Sequence, residues 1–318
     1  MAFEDGLDID PSQPQEQDFV LNATGLVSKT FGLWTRKFVQ YIVLVGLVSV
    51  VTVFLSFIIV LTLFSTIGVL PSDPFNYLFS IFALSTPPDF TYFALAIVFG
   101  TIVFIINAIL SGAAIRFALD DYSGQTAEIG ASFSHSFGKI GRILAVQVIM
   151  TLIVSVVMGP SAALMMRALE GIDITNPAFP IIDPEAIQYM MMGFGLFIGG
   201  GIVVLFIIVR FAPALAIVMD TDLSAIDSLK KAWELTSGNF LHVFGAQILL
   251  GIAIGLLSAI ITIPTSFILY LDPLGSVLNA IFIGLLFSAP NLIYIAVLYR
   301  DLMARAGPVG SDLPEYVL

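Results

Sequence analysis

Tyr41–Ile67 reads YIVLVGLVSVVTVFLSFIIVLTLFSTI, with no Asp, Glu, Lys, Arg or His in it. A helix crossing a hydrocarbon layer about 30 Å thick needs roughly 20 such residues. This stretch therefore reads as a membrane span. Five more follow along the chain, at about Thr91–Leu119, Ile140–Met166, Tyr189–Met219, Phe240–Tyr270 and Leu274–Tyr299. Several exceed the minimum length, which tilt or extension past the bilayer accommodates.

The composition agrees. Of 318 residues, 58% are hydrophobic and 11% charged, and the mean hydropathy is +1.02. A soluble domain carries about 25% charged residues, so this chain has too few to surround one core with a water-facing surface. A soluble enzyme is excluded. Cys is absent, which removes disulfides, thiolate nucleophiles and Cys-based metal sites. Two His, His135 and His242, are too few for a His-rich metal site. No GxSxG or HExxH motif occurs, and GFGLFIGGG (residues 193–201) lies in a predicted span, so it is no nucleotide loop. It instead permits close helix packing. No cofactor is expected.

Residues 1–17 are acidic and polar, without the basic and apolar regions of a signal peptide. Their composition predicts a disordered, solvating tail. Lys29, Arg36, Lys37, Arg116, Lys139, Arg142, Lys230, Lys231, Arg300 and Arg305 all fall on one face of the six-span layout, and Arg167 on the other. The positive-inside rule then puts both termini in the cytoplasm, with the chain multi-pass in the cell's inner or plasma membrane. The net charge of −11 does not oppose this, because the rule counts Lys and Arg. It does argue against nucleic acid as a partner; membrane lipids and other membrane proteins are the expected ones.

Three segments lead into the odd-numbered spans: LVSKTFGLWTR (26–36), SFSHSFGKIGR (132–142) and AWELTSGNFLH (232–242). They align on Gly32, Gly138 and Gly238. Four residues later stand Arg36, Arg142 and His242; five before stand Val27, Phe133 and Trp233; nine before stand Ala23, Ile129 and Leu229. Apolar positions four apart share a helix face, so each segment predicts an amphipathic helix in the interface. Ser224 and Asp227 have capping-box spacing before the third. Each Gly is expected to end its helix and turn the chain into the membrane. The even spans end on Asp120, Asp220 and Asp301 in equivalent register. The fold class expected is all-α integral membrane. Six transmembrane helices form three parallel hairpin repeats, each preceded by an interfacial helix. The membrane domain covers 18–305, with repeats at about 18–121, 122–222 and 223–305, and 306–318 is a short cytoplasmic tail. The external loops 68–90 and 167–188 are long and rich in turn signals.

Within Ala225–Phe244 (AIDSLKKAWELTSGNFLHVF), the residues Ser228, Leu229, Ala232, Trp233, Leu235, Gly238 and Asn239 carry a resemblance. The segment resembles the membrane domain fused to some bacterial and archaeal glycerophosphoryl diester phosphodiesterases, and its stand-alone relatives. The resemblance implies a six-span membrane module without an established activity. The soluble catalytic domain of those fusions has no counterpart here, so phosphodiesterase activity is not carried over. Mitochondrial carriers also have six spans and three repeats, but their Pro–acid–base run at the ends of odd spans does not occur in this chain.

Arg210 is the one charged residue at depth in a predicted span, about 15 Å along a helix from Asp220. An Arg in lipid costs several kcal/mol, so it is expected to face the bundle interior. There it binds an anionic head group, or it is capped by carbonyls freed at Pro213. By repeat register Asn291 occupies the same place, after Pro290, which is expected to kink or open its helix. Gln147 and Gln247 are equivalent to each other. Together Arg210, Asn291, Gln147 and Gln247 form a candidate polar centre. It either lines a cavity or supplies interhelical hydrogen bonds at ~0.6 kcal/mol each. An Asp at a helix C-terminus opposes the macrodipole. Asp120, Asp220 and Asp301 are therefore expected to pair with Arg36, Arg142, Lys230, Lys231 and Arg300 in a ring linking one repeat to the next. Trp34 and Trp233 are expected interface anchors. No nucleophile–base or metal constellation is visible. The expected function is therefore non-enzymatic, with a structural, assembly or lipid-associated role; a transporter or lipid-handling channel around Arg210 is the alternative.

Topology is directly testable. A C-terminal green fluorescent protein fusion is expected to fluoresce, and a C-terminal alkaline phosphatase fusion to be inactive. The opposite pair of results would invert the assigned orientation.

Overall fold

A computed structural model describes residues 20–46, 90–173, 181–269 and 273–306. Most of the first expected span, the loop over 68–89 and both tails lie outside the described residues. Five helices within the described residues are long and apolar enough to cross a bilayer: Ile97–Tyr122, Ile140–Leu169, Pro184–Asp220, Phe240–Pro264 and Phe282–Arg305. The protein is thus a polytopic helical membrane protein.

The chain enters with α1 (Ala23–Arg36), the short α2 (Phe38–Tyr41) and one π-helical turn (Ile42–Gly46). Then come α3 (Phe90–Tyr122), α4 (Ile129–Gly138) and α5 (Ile140–Glu170). A two-residue pairing of β1 (Ile172–Asp173) with β2 (Ile181–Ile182) leads to α6 (Pro184–Phe211) and α7 (Ala214–Asp220). The chain finishes with α8 (Ala225–Ser237), α9 (Phe240–Leu269) and α10 (Pro273–Arg305). Pro213 has no N–H and separates α6 from α7. Pro290 does not open its helix, since α10 continues through it. Neighbouring helices can compensate a lost backbone bond inside a membrane bundle.

The interior is made by α3, α7 and α10, which pack on one another. Their contact positions are small: Ala113, Ala114, Ala118, Ala216, Ala289 and Ala296 are fully buried. Lipid tails supply no hydrophobic drive between helices, so close backbone approach over small side chains provides the packing. The hairpin α5–α6 packs beside this seam through α5, and α9 packs on α10. Their outward residues, such as Val156, Met191, Leu241 and Ile260, are widely exposed, as a lipid-facing surface requires. In the glycine-rich run of α6, Gly193 and Gly200 press against Met165 and Met158 of α5, whereas nothing lies near Gly195, Gly199 or Gly201.

The three segments expected to be interfacial are α1, α4 and α8. The expected apolar positions do face the bundle, with Leu229 buried and Ala23, Val27, Ile129 and Phe133 packed against the core. The buried face also takes in positions expected to be on the other faces. Leu26, Ser132 and Ala232, six residues before the aligned glycines, and Thr30, Ser136 and Thr236, two before, are buried. Val27 and Phe133 are only partly buried, and Trp233 is exposed. Small and hydroxyl-bearing residues fit beneath the helix against the bundle, and the large ones flank it. The Ser136 hydroxyl donates to the Ile109 carbonyl at 2.6 Å, and the Thr236 hydroxyl to the Arg210 carbonyl at 3.0 Å, at the break before Pro213.

The aligned glycines do not act as helix breakers through backbone freedom. Gly32 lies inside α1, which runs on to Arg36. Gly138 is the last residue of α4, and Gly238 caps α8 with φ −84°. Among the described residues only Gly124, after α3, takes a positive φ, 72°. The tightest glycine of the α3–α4 contact is Gly112. A Cβ there would meet Ser136 Oγ at 2.4 Å and Ile143 Cδ1 at 2.7 Å.

Gly112→Ala is therefore expected to disturb the Ser136 bond and to lower stability by about 1–3 kcal/mol. Gly255→Ala, where nothing lies within 4 Å, is the control and is expected to be neutral or slightly stabilising. Thermal unfolding in detergent compares the two, and equal midpoints would refute the close approach.

Candidate functional site: a charged helix-end cluster and a ringed arginine

Charged side chains gather where α3, α7 and α10 end. Asp301 has no exposed surface. Its Oδ1 accepts from the Leu21 backbone N–H at 2.7 Å. Its Oδ2 meets His242 Nε2 and Arg305 Nε, both at 2.9 Å. Arg305 also donates to the Leu21 carbonyl. Asp220 accepts from the Tyr299 hydroxyl at 2.9 Å and from Arg300 at 3.2 Å, with Arg116 at 4.0 Å. Arg116 pairs with Asp120 one turn on in α3, at 2.8 Å. Asp120 and Asp220 therefore share Arg116.

Lys139 sits under the end of α7. Its ammonium donates to the carbonyls of Thr221 at 2.7 Å, Val218 at 3.2 Å and Met219 at 3.3 Å. His135 donates from Nε2 to the Met219 carbonyl at 2.9 Å. A cation at free helix carbonyls complements the macrodipole, which offsets Asp220 at the same helix end. Burial draws the Lys139 ammonium below its ordinary value, and Asp222 opposes that. The hydrogen bond from Arg142 holds the Asp222 carboxyl below the usual carboxylate range, with Lys139 adding to it. A depressed carboxylate pKa means that this link persists above the ordinary range and is lost only as pH falls through the depressed value.

The expected ring is rearranged. Arg36 meets Asp121 at 2.7 Å rather than Asp120, with Lys37 beside it at 2.9 Å. Arg142 meets Asp222 at 3.0 Å rather than Asp220. Lys230 and Lys231 do not join the cluster. They pair with Asp227 at 3.4 Å and Glu234 at 3.8 Å within α8, on faces turned away from its buried side. Sequence reasoning missed Asp121, Asp222, Arg116 and Arg305. The four-residue spacings Arg116–Asp120 and Asp301–Arg305 were legible signals for two of these pairs. Ser224 caps α8 by accepting from the Asp227 N–H at 3.2 Å. Two grooves open at this end. One, of about 280 Å³, is lined by Lys29, Arg36, Asp121 and Tyr122. The other, of about 520 Å³, is lined by His135, Lys139, Arg142 and Asp222.

The candidate polar centre is not assembled. Arg210, in the last turn of α6, is ringed by Trp233, Phe206 and Phe240, with its guanidinium carbon 4.8, 5.2 and 5.3 Å from their centroids. Asn291 is exposed on α10. The Oε1 atoms of Gln147 and Gln247 are buried without a partner. No hydrogen bond joins any of these three to Arg210 among the described residues. The ring faces carry partial negative charge, so they replace the amides as the environment of the guanidinium. Trp233 is half exposed and lies over Arg210. Trp34 packs among Phe31, Phe38 and Phe287 instead. Among the described residues no group of three His, Asp or Glu stands in metal-binding reach.

No protein-family model, curated protein or solved structure matches the chain.

Asp301→Asn is expected to cost about 3–5 kcal/mol, because it breaks a buried charge cluster. Asp222→Asn, at an exposed pair screened by solvent, is expected to change stability far less. Thermal unfolding at neutral pH measures both, and equal losses would contradict the assigned burial of Asp301.

Proposed function

We propose that the chain is a six-span, non-enzymatic membrane module of three hairpins, with a structural, assembly or lipid-associated role. Both termini lie in the cytoplasm. The observation that carries this reading is the seam between α3, α7 and α10, filled by alanines and aliphatic side chains rather than by a polar passage. The rings around Arg210 support it further, since aromatic faces rather than the amides of Asn291, Gln147 and Gln247 surround the guanidinium.

The contacts support a threefold arrangement. The bases four residues after the aligned glycines each meet an acid at the end of the same hairpin: Arg36 with Asp121, Arg142 with Asp222, His242 with Asp301. Between hairpins, α4 lies on α3, α8 on α6 and α7, and α1 on α10, which closes a circle. The resemblance of Ala225–Phe244 to the phosphodiesterase-fused membrane domain points to the same kind of module. A second reading, transport or lipid handling, draws on the unpartnered Gln147 and Gln247 oxygens.

Proteoliposomes separate the two. Ion leak, small-solute leak and lipid scrambling are expected to stay within about twofold of protein-free vesicles. A flux well above that, and lost in the Gln147→Leu, Gln247→Leu double variant, would establish the second reading instead.

A further inference from the structure

We propose that Arg210 holds the phosphodiester of a glycerophospholipid at the bundle surface beneath α8, a proposal that rests on the lipid-associated reading above. The guanidinium stays charged under all ordinary conditions and offers five N–H donors. Its Nε and Nη1 are buried and have no hydrogen-bond partner, and no ion pair reaches it among the described residues. The three rings stabilise the charge but leave it without a counter-ion.

The acids nearest along α8 are already engaged, Asp227 with Ser224 and Lys230 and Glu234 with Lys231. Arg210 itself is only half-buried, so the remaining Nη2 edge faces outward. The surface it faces is apolar. Phe206 and Trp233 are 39% and 41% exposed, and Ile202 and Leu241 beside them are 66% and 79% exposed. Such a surface meets lipid rather than water. The anion available there is the phosphate that phospholipids carry at the level where an interfacial helix lies. Nη2 donates one charge-assisted hydrogen bond to that phosphate, and the ring faces of Phe206 and Trp233 offer an apolar bed for the adjoining glycerol and acyl chain. The bond is non-covalent and asks nothing else of the site.

Trp233 is itself the reporter, because Trp34 is the only other tryptophan. In a Trp34→Phe background in detergent micelles, chain-brominated phosphatidylglycerol is expected to quench Trp233 saturably. Brominated monogalactosyl diacylglycerol, which lacks phosphate, is expected to need about tenfold more lipid or greater, the loss typical of one charged hydrogen bond. Arg210→Gln is expected to bring phosphatidylglycerol down to the galactolipid level, and Arg210→Lys to restore part of the difference. Equal quenching by the two lipids overturns the proposal even if Arg210→Gln does not fold. Displacement of phosphatidylglycerol by millimolar inorganic phosphate overturns the lipid as the source and assigns free phosphate. Either failure leaves the absence of flux, and with it the non-transporting reading, untouched.

Discussion

A carboxylate without access to water must have partners, and in this protein that requirement acts at Asp301. Removing a charge from water costs several kcal/mol unless attraction and hydrogen bonds return it. Asp301 recovers it from three directions: the Leu21 N–H ahead of α1, His242 at the start of α9 and Arg305 in its own helix. Those contacts tie the first described residues to the last helix. The placement of α1 against α10 and α9 follows from them.

The same logic repeats at the other helix ends with different chemistry. Asp220 is held by two arginines and a phenol, and the carbonyls behind it by Lys139 and His135. Asp121, 6% exposed, takes Arg36 and Lys37. Charge at this end is therefore confined to short-range pairs. Beyond it the bundle is held by small residues: alanines between α3, α7 and α10, Gly112 beneath Ser136, and Gly193 and Gly200 beneath two methionines. Two buried hydroxyls donate to a carbonyl of another helix, Ser136 to Ile109 and Thr236 to Arg210 at the break made by Pro213. Arg210 stands apart from both regimes. Three aromatic rings serve it where no acid does, and its free edge looks to the lipid.

Much of this was legible in the sequence. The spans at Ile140–Met166 and Tyr189–Met219 coincide closely with helices, because a long apolar run can satisfy its backbone in lipid only by helix formation. The α8 cap was legible because Ser224 and Asp227 act over three residues of local chain. That charged residues collect at the helix ends was legible too, since bases and acids avoid hydrocarbon. The full set was not, for it adds Asp121, Asp222, Arg116 and Arg305 and leaves out Lys230 and Lys231. Nor was which base meets which acid. Arg36 meets Asp121, one residue beyond Asp120, and Arg142 meets Asp222, two beyond Asp220 and past the end of α7, offsets that no pattern of residue types encodes. The hydroxyl residues of the three short helices were misread for a related reason. Hydrophobicity placed Val27 and Phe133 on the bundle side, where they pack, but assigned Ser and Thr to the other faces, whereas fit against a crowded bundle buried Thr30, Ser136 and Thr236.

By itself, the sequence determined a polytopic helical membrane protein with its charge kept outside the apolar spans. These are consequences of transfer free energy, which each residue carries with it wherever it stands in the fold. Only the tertiary structure decided that Arg210 is ringed by Phe206, Trp233 and Phe240 instead of meeting Asn291, Gln147 and Gln247. The three rings come from two different helices besides Arg210's own. Their meeting depends on the angle at which α8 lies against α6 and α9, which is set by side-chain volume and hydrogen bonding across the contact rather than by any property of a single segment.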